Sequence, residues 1–150
     1  MLYASTYSSP LGTILLESDG EALTGLRFAD KMECGETKGV IPIIAEVRKW
    51  LDDYFGGGKP RNVPRINPQG TDFQRKVWQA LLTIPNGQTK TYGEIAQMVS
   101  CRSAQAVGQA ISHNPIVLII PCHRVVGAHG ALGGYAFGID RKAKLLQLEQ

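Results

Sequence analysis

A thiol and an imidazole stand side by side in Pro121-Cys122-His123-Arg124-Val125-Val126, where the apolar run Ile116-Val117-Leu118-Ile119-Ile120 is stopped by proline. A free thiol titrates at about 8.5, so only ~3 % of it is nucleophilic thiolate at neutral pH, and a neighbouring base or cation raises that fraction. His123 can supply the base. Adjacent residues on a regular strand point to opposite faces, so contact between Cys122 and His123 needs a turn or a bridging water. Pro121 gives the chain a reason to turn. Taken alone, the pair reads equally as a half-buried cysteine beside a surface histidine.

The rest of the chain has to position that pair. With 150 residues, 43 % hydrophobic and 19 % charged, it suits one or two small domains able to bury a core without staples. Cys34, Cys101 and Cys122 form no even set and no Cys-x-x-Cys pair, and Met1-Leu2-Tyr3-Ala4-Ser5-Thr6 lacks a basic region followed by an apolar core. Free thiols in a reducing cytoplasm follow as the expectation, with no zinc finger. Ile116–Ile120 is the longest apolar run, far short of the ~20 residues of a membrane helix, so a soluble protein without membrane contact is expected. The net charge is +3, unevenly placed: residues 1–70 carry eight Lys/Arg against nine Asp/Glu, and residues 71–150 eight against four. A polyanion partner for the second half fits that asymmetry, as does an ordinary solvated surface.

Tyr3–Tyr7, Thr13–Glu17 and Ala22–Phe28 read as short strands separated by Ser9-Pro10-Leu11-Gly12 and Asp19-Gly20, an antiparallel meander. Ile43, Ile44, Val47, Trp50, Leu51 and Tyr54 recur three and four apart before Gly56-Gly57-Gly58, the pattern of a helix packing on that sheet. Pro60, Pro64, Pro68 and Gly70 mark an extended linker, and the boundary is placed there, giving domains 1–65 and 66–150. Thr71-Asp72-Phe73-Gln74 has capping-box form and leads a helix with Phe73, Val77, Trp78, Leu81 and Leu82 on one face. A second capping box, Thr91-Tyr92-Gly93-Glu94, opens a helix through Val99, and Ser103 caps a third that runs to about His113.

This is helix-turn-helix spacing. A helical wheel turns Ala104, Val107, Gly108 and Ile111 inward and leaves Gln105, Ala106, Gln109, Ala110 and His113 outward, with no carboxylate among them. Such a slim face suits close approach to a nucleic acid groove, and suits equally two small-residue helices packed in an ordinary domain. Val125 to Leu132 reads as a hairpin around a glycine turn, and Asp140 as the cap of a last helix, which together resemble a winged arrangement.

Pro121-Cys122-His123-Arg124-Val125, preceded by Asn114-Pro115 and followed by Gly134-Tyr135-Ala136 and Leu145-Leu146-x-x-Glu149, resembles the O6-alkylguanine-DNA alkyltransferases (methylated-DNA:protein-cysteine methyltransferases). The match is dense over 71–150 and general over 1–70. It implies an α/β (α+β) architecture: an N-terminal ribonuclease-H-like antiparallel sheet plus helix, then a mostly helical, winged helix-turn-helix-like domain carrying the cysteine. It also implies a helix-turn-helix entering the minor groove of double-stranded DNA that contains O6-alkylguanine, unlike the usual major-groove docking.

By that resemblance Cys122 takes the alkyl group from guanine O6, and from O4-alkylthymine, irreversibly and once, with no cofactor and no metal. A soft thiolate suits displacement at an alkyl carbon. His123 would act as base through water, and Glu149 would hold the imidazole's tautomer. Asn114 would order the active-site turn, while Tyr92 and Tyr135 would contact phosphate, ring nitrogen or leaving oxygen. Ile111, Val125, Leu132, Gly133 and Ala136 complete the expected pocket wall, and Arg102, Ser103, Gln105, Ala106 and Gln109 the expected DNA-binding set. The target nucleotide would be flipped out of the duplex, at a cost of a few kcal/mol that groove contacts offset. A monomer suffices for all of this.

Two positions depart from the family. Gln105 stands where an arginine usually fills the gap left by the extruded base, and Phe137 lies where consecutive glycines are common. The zinc ligands of some N-terminal domains have no counterpart, since Cys34 stands without partners. The alternatives are a non-catalytic alkylated-DNA binding protein that recruits repair factors, and a thiol hydrolase using Cys122, His123 and Glu149 on a small-molecule ester with repeated turnover.

Overall fold

A computed structural model describes residues 3–29, 41–60 and 62–150, so Cys34 lies outside the described residues. The chain divides into two compact units, Met1–Gln69 and Gly70–Gln150.

In the first unit β1 (Tyr3–Ser9), β2 (Gly12–Ser18) and β3 (Leu23–Phe28) form an antiparallel sheet in sequence order, with Tyr3 opposite Ser18 and Ile14 opposite Phe28. Strand β2 is central, and Ile14, Leu15 and Leu16 are all buried. Helix α1 (Pro42–Phe55) starts with proline in its first turn, where the missing N–H costs nothing, and stops at Gly56. It buries Ile43, Ile44, Val47, Leu51 and Tyr54, each contributing ~1.5–3 kcal/mol of hydrophobic stabilisation. Trp50 is only half-buried and stacks on Tyr54 with centroids 5.3 Å apart. The proline-rich stretch is extended, and part of it pairs with the sheet: Leu23 N–H donates to the Arg65 carbonyl at 2.9 Å and Asn67 N–H to the Leu23 carbonyl at 2.8 Å.

In the second unit helix α2 (Asp72–Leu82) follows a complete capping box, Thr71 accepting from Gln74 N–H while the Gln74 side chain accepts from Thr71 N–H. The same device at Thr91 and Glu94 opens α3 (Tyr92–Met98), and Ser103 accepts from Ala106 N–H to start α4 (Ala104–Ser112). Trp78 buries its ring in the core and donates from Nε1 to the Ala110 carbonyl at 2.8 Å, tying α2 to α4. Helix α4 is therefore rotated from the expected wheel. Ala110 faces inward with Val107 and Ile111, because Trp78 packs on that side, whereas Ala104 is exposed.

Three further expectations are corrected. Ile116–Ile120 is buried but is not a strand; it is a tight turn closed by a bridge between Val117 and Ile120, with Leu118 at φ 72°. The apolar run is long enough for a strand, but Asn114 captures its backbone: the side chain accepts from Ile116 N–H and donates to the Ile120 carbonyl. Val125–Leu132 is no hairpin. Val125–Val126 forms β5, which pairs in parallel with β4 (Lys90–Thr91), and Ala128–Gly130 makes a 3₁₀ turn. Helix α5 (Ile139–Leu148) starts from Gly138 at φ 100°, a conformation glycine adopts without strain, and Asp140 sits in its first turn instead of capping it.

Candidate active site

Pro121 ends the buried turn and the chain then winds through a 3₁₀ turn, Cys122–Arg124, with Arg124 N–H donating to the Pro121 carbonyl at 3.0 Å. The turn settles the problem of adjacent side chains. Cys122 faces a cleft of about 680 Å³, while His123 and Arg124 turn into the core toward α5. Pairing of β4 with β5 brings Tyr92, the first residue of α3, to the same cleft.

Behind the thiol lies a buried charge network. His123 has no exposed surface, and its Nε2 lies 2.5 Å from Glu149 Oε2. A carboxylate accepts, so Nε2 carries the proton and Nδ1 is the nitrogen able to take another. Arg124 grips the same carboxylate, from Nε to Oε1 at 2.8 Å and from Nη2 to Oε2 at 3.1 Å, and its Nη1 donates to the Ile84 carbonyl at 2.8 Å. Glu149 is 3 % exposed, so this charge is held by partners and not by water. Arg124 thus shares Glu149 with His123. The arginine's part in the site was not visible in the sequence.

Burial pushes the Cys122 thiol up to about 11, opposed by the Asn114 side chain, the Lys142 ammonium and the backbone amides of Cys122 and His123. Burial also holds the His123 imidazole below its ordinary value, despite the favourable pull of Glu149. At neutral pH Cys122 is therefore a protonated thiol and His123 a neutral imidazole. Tyr92 and Tyr135 are both raised, chiefly by burial and then by the Cys122 charge, so both phenols keep their protons. The Tyr135 hydroxyl is buried without a hydrogen-bond partner in the wall of the cleft.

The cleft collects Cys122, Asn114, Tyr92, Tyr135, Ala136, Ile111 and Gln105 of the residues singled out from sequence. Val125 is buried in β5, Leu132 borders a separate small cavity with Glu149, and Gly133 backs the Tyr92 ring; none of the three lines the cleft. Gly133 has φ 71°, and a Cβ there would lie 3.2 Å from the Tyr92 ring, so glycine is required twice over. Arg102, Ser103 and Gln109 are exposed along the start and outer side of α4, and Ala106 is half-buried. Ala104, Gly108, Ser112, Val117 and Gly134 line the cleft without having been assigned to it, and Phe137, the departure from the family's glycines, lines it too, packing edge-on to Tyr135 at 5.9 Å. Lys142 was also missed. It lies on α5 in register with Leu145 and Glu149, at spacings of three and four that mark the inward face. No group of acidic, histidine and cysteine side chains suited to a metal ion occurs among the described residues.

A sheet-and-helix unit is followed by a helix-turn-helix unit in which a buried cysteine opens into a cleft beside the second helix and the next two residues, His123 and Arg124, share a buried glutamate: a reactive-thiol protein built on a DNA-binding fold. Residues 72–150 match the DNA binding domain of the 6-O-methylguanine DNA methyltransferases, and residues 2–63 match their ribonuclease-like domain. The methylated-DNA–protein-cysteine methyltransferase of Mycobacterium leprae (strain TN) is 44 % identical over 154 residues, covering 100 % of this chain and 93 % of the relative. That of Methanosarcina acetivorans is 42 % identical, covering 99 % of this chain and 98 % of the relative. The crystal structure of Mycobacterium tuberculosis OGT in complex with DNA has a TM-score of 0.85 at 43 % identity, covering 96 % of this chain and 90 % of that one. The chain belongs to the 6-O-methylguanine DNA methyltransferase family, DNA-repair proteins that transfer an alkyl group from DNA to a protein cysteine. Its DNA-binding unit is the second.

Proposed function

We propose that Cys122 is the acceptor, that its substrate is O6-alkylguanine turned out of duplex DNA into the cleft, and that α4 meets the minor groove. One observation carries this reading: Cys122, followed in the chain by the buried His123–Glu149 pair, lines a cleft walled by α4, the second helix of the helix-turn-helix. His123 Nδ1 receives the thiol proton by way of water while Glu149 stabilises the resulting imidazolium. The thiolate sulfur then attacks the alkyl carbon, the carbon–oxygen bond breaks, and guanine leaves with the electron pair and takes up a proton. Tyr135, with its proton retained and its hydroxyl unengaged, supplies the hydrogen bond to the leaving purine, and Tyr92 assists from the same cleft. O4-alkylthymine presents the same alkyl–oxygen bond and is a second substrate.

The thioether formed has no good leaving group, so one protein accepts one alkyl group. Gln105 lies at the rim of the cleft, where it hydrogen-bonds a base edge but adds no charge, and extrusion is weaker than an arginine would give. The acceptor thiol has to stay reduced, which suits the cytoplasm, and the cleft is complete within one chain, which suits a monomer. No helix among the described residues is long and apolar enough to cross a membrane. The test is stoichiometry. With a duplex containing O6-methylguanine in excess, lesion loss stops at one equivalent of protein; continued turnover favours a hydrolase, and tight binding without lesion loss favours a non-catalytic binder.

A further inference from the structure

We propose that Lys142 is a positioning residue of this site: its buried ammonium fixes the cleft wall through the Gly134 carbonyl and supplies the positive charge that favours ionised Cys122. This rests on Cys122 being the acceptor. The lysine has no exposed surface, unusual for a side chain with three donors and a full charge. Its Nζ donates to the Gly134 carbonyl at 3.1 Å and lies 6.0 Å from the centroid of the Tyr92 ring, a cation–π contact. Gly134, Tyr92 and Cys122 all line the one cleft, so a single ammonium touches two of its walls and acts electrostatically on its nucleophile.

The sign of its effect follows from its neighbours. Toward Cys122 the charged or polar influences are the Asn114 side chain, Lys142 from α5 and the backbone amides of Cys122 and His123, all favouring thiolate against the opposing effect of burial. Tyr92 and Tyr135 face the thiol as neutral phenols. His123 also feels Lys142, which disfavours its protonation together with Arg124, while Glu149 favours it; Arg141 acts on Tyr135. Lys142 itself is lowered by burial and raised by the Cys122 charge, so the two groups stabilise each other's ionised forms. As the thiol is alkylated that mutual stabilisation is lost.

The test follows Cys122 carbamidomethylation by iodoacetamide across pH, read by peptide mapping so that other cysteines do not count, in the full chain without DNA. Lys142→Met keeps the length and removes the charge. Its midpoint should rise by ~0.5–1 pH unit against the wild type, while Lys142→Arg should stay near the wild-type value. An unchanged midpoint in Lys142→Met overturns the proposal, because a packing role alone does not move a titration. If Lys142→Met does not fold, the wild-type protein answers through nuclear magnetic resonance of the Lys142 ammonium. Its titration should fall to lower pH once Cys122 is methylated with methyl iodide, and an unmoved titration overturns the proposal. Neither readout uses lesion DNA, so failure of methyl transfer from a duplex would refute the function proposed above without deciding the lysine's role.

Discussion

Replacing Glu149 with glutamine strikes the network behind the thiol at its centre. The carboxylate accepts from His123 Nε2 and twice from Arg124, all in a buried setting. Glutamine keeps the shape but removes the charge, and turns one acceptor into a donor aimed at donors. Hydrogen bonds to a charged group are worth ~1.5–3 kcal/mol each, and removing one partner of a buried ion pair costs about 3–5 kcal/mol because the other charge is left behind. Arg124 retains the Ile84 carbonyl, which moderates the loss, so we expect ~4 kcal/mol. For a unit of this size that lowers Tm by ~15–30 °C. Urea unfolding followed by Trp78 fluorescence in a Trp50→Phe background reads the second unit selectively, since Trp78 is the tryptophan buried there. His123→Gln, which leaves both Arg124 contacts in place, should cost less than half as much while slowing transfer at least ~100-fold. A loss below ~1 kcal/mol in Glu149→Gln would show that the carboxylate does not hold Arg124, and the account of the network would fall.

Three other outcomes are expected. Gln105→Arg should tighten binding to duplex DNA and steepen its salt dependence by about one counterion, checked by anisotropy titrations at several salt concentrations; unchanged affinity and transfer rate would contradict the reading of Gln105. Gly133→Ala places a side chain at φ 71° against the Tyr92 ring, and should destabilise the protein by ~1–3 kcal/mol and slow transfer, seen by urea titration and single-turnover rates. Acidification tests the buried histidine. The unfolded chain protonates His123 at about pH 6.5 while the folded site resists, so the unfolded state binds more protons and stability should fall as pH drops from 7 toward 5. His123→Gln should flatten that part of the profile, and a profile as steep as the wild type's would assign the acid sensitivity elsewhere.

Much of this was legible because local chemistry dictates it. Thr71 with Gln74, Thr91 with Glu94, and Ser103 announced three helix starts that the structure reproduces, since capping is settled within four residues. The meander was equally plain from its turn residues and alternation. What escaped depends on distant partners. The β4–β5 pair has two residues in each strand, too few to show a period, and it replaces the hairpin that Val125–Leu132 suggested. Ile116–Ile120 has the composition of a strand, yet Asn114 folds it back on itself. The outward face of α4 was misjudged at Ala110, because nothing local says that Trp78, far back in the chain, will claim it. Within the site, Cys122 and His123 stood out as an adjacent thiol and imidazole while Glu149 came from motif resemblance, and the structure brings His123 and Glu149 into contact. Lys142 was passed over since a lysine reads as solvent-facing, although its register with Leu145 and Glu149 pointed inward.

The identity of the atom that accepts the alkyl group decides whether Cys122 is the acceptor. The protein is incubated with one equivalent of a duplex containing a single O6-methylguanine, then digested and mapped by mass spectrometry. One added methyl group is expected, confined to the peptide carrying Cys122, with guanine restored in the DNA. Methyl on Cys101 or Cys34, or lesion loss with Cys122 unmodified, would contradict it.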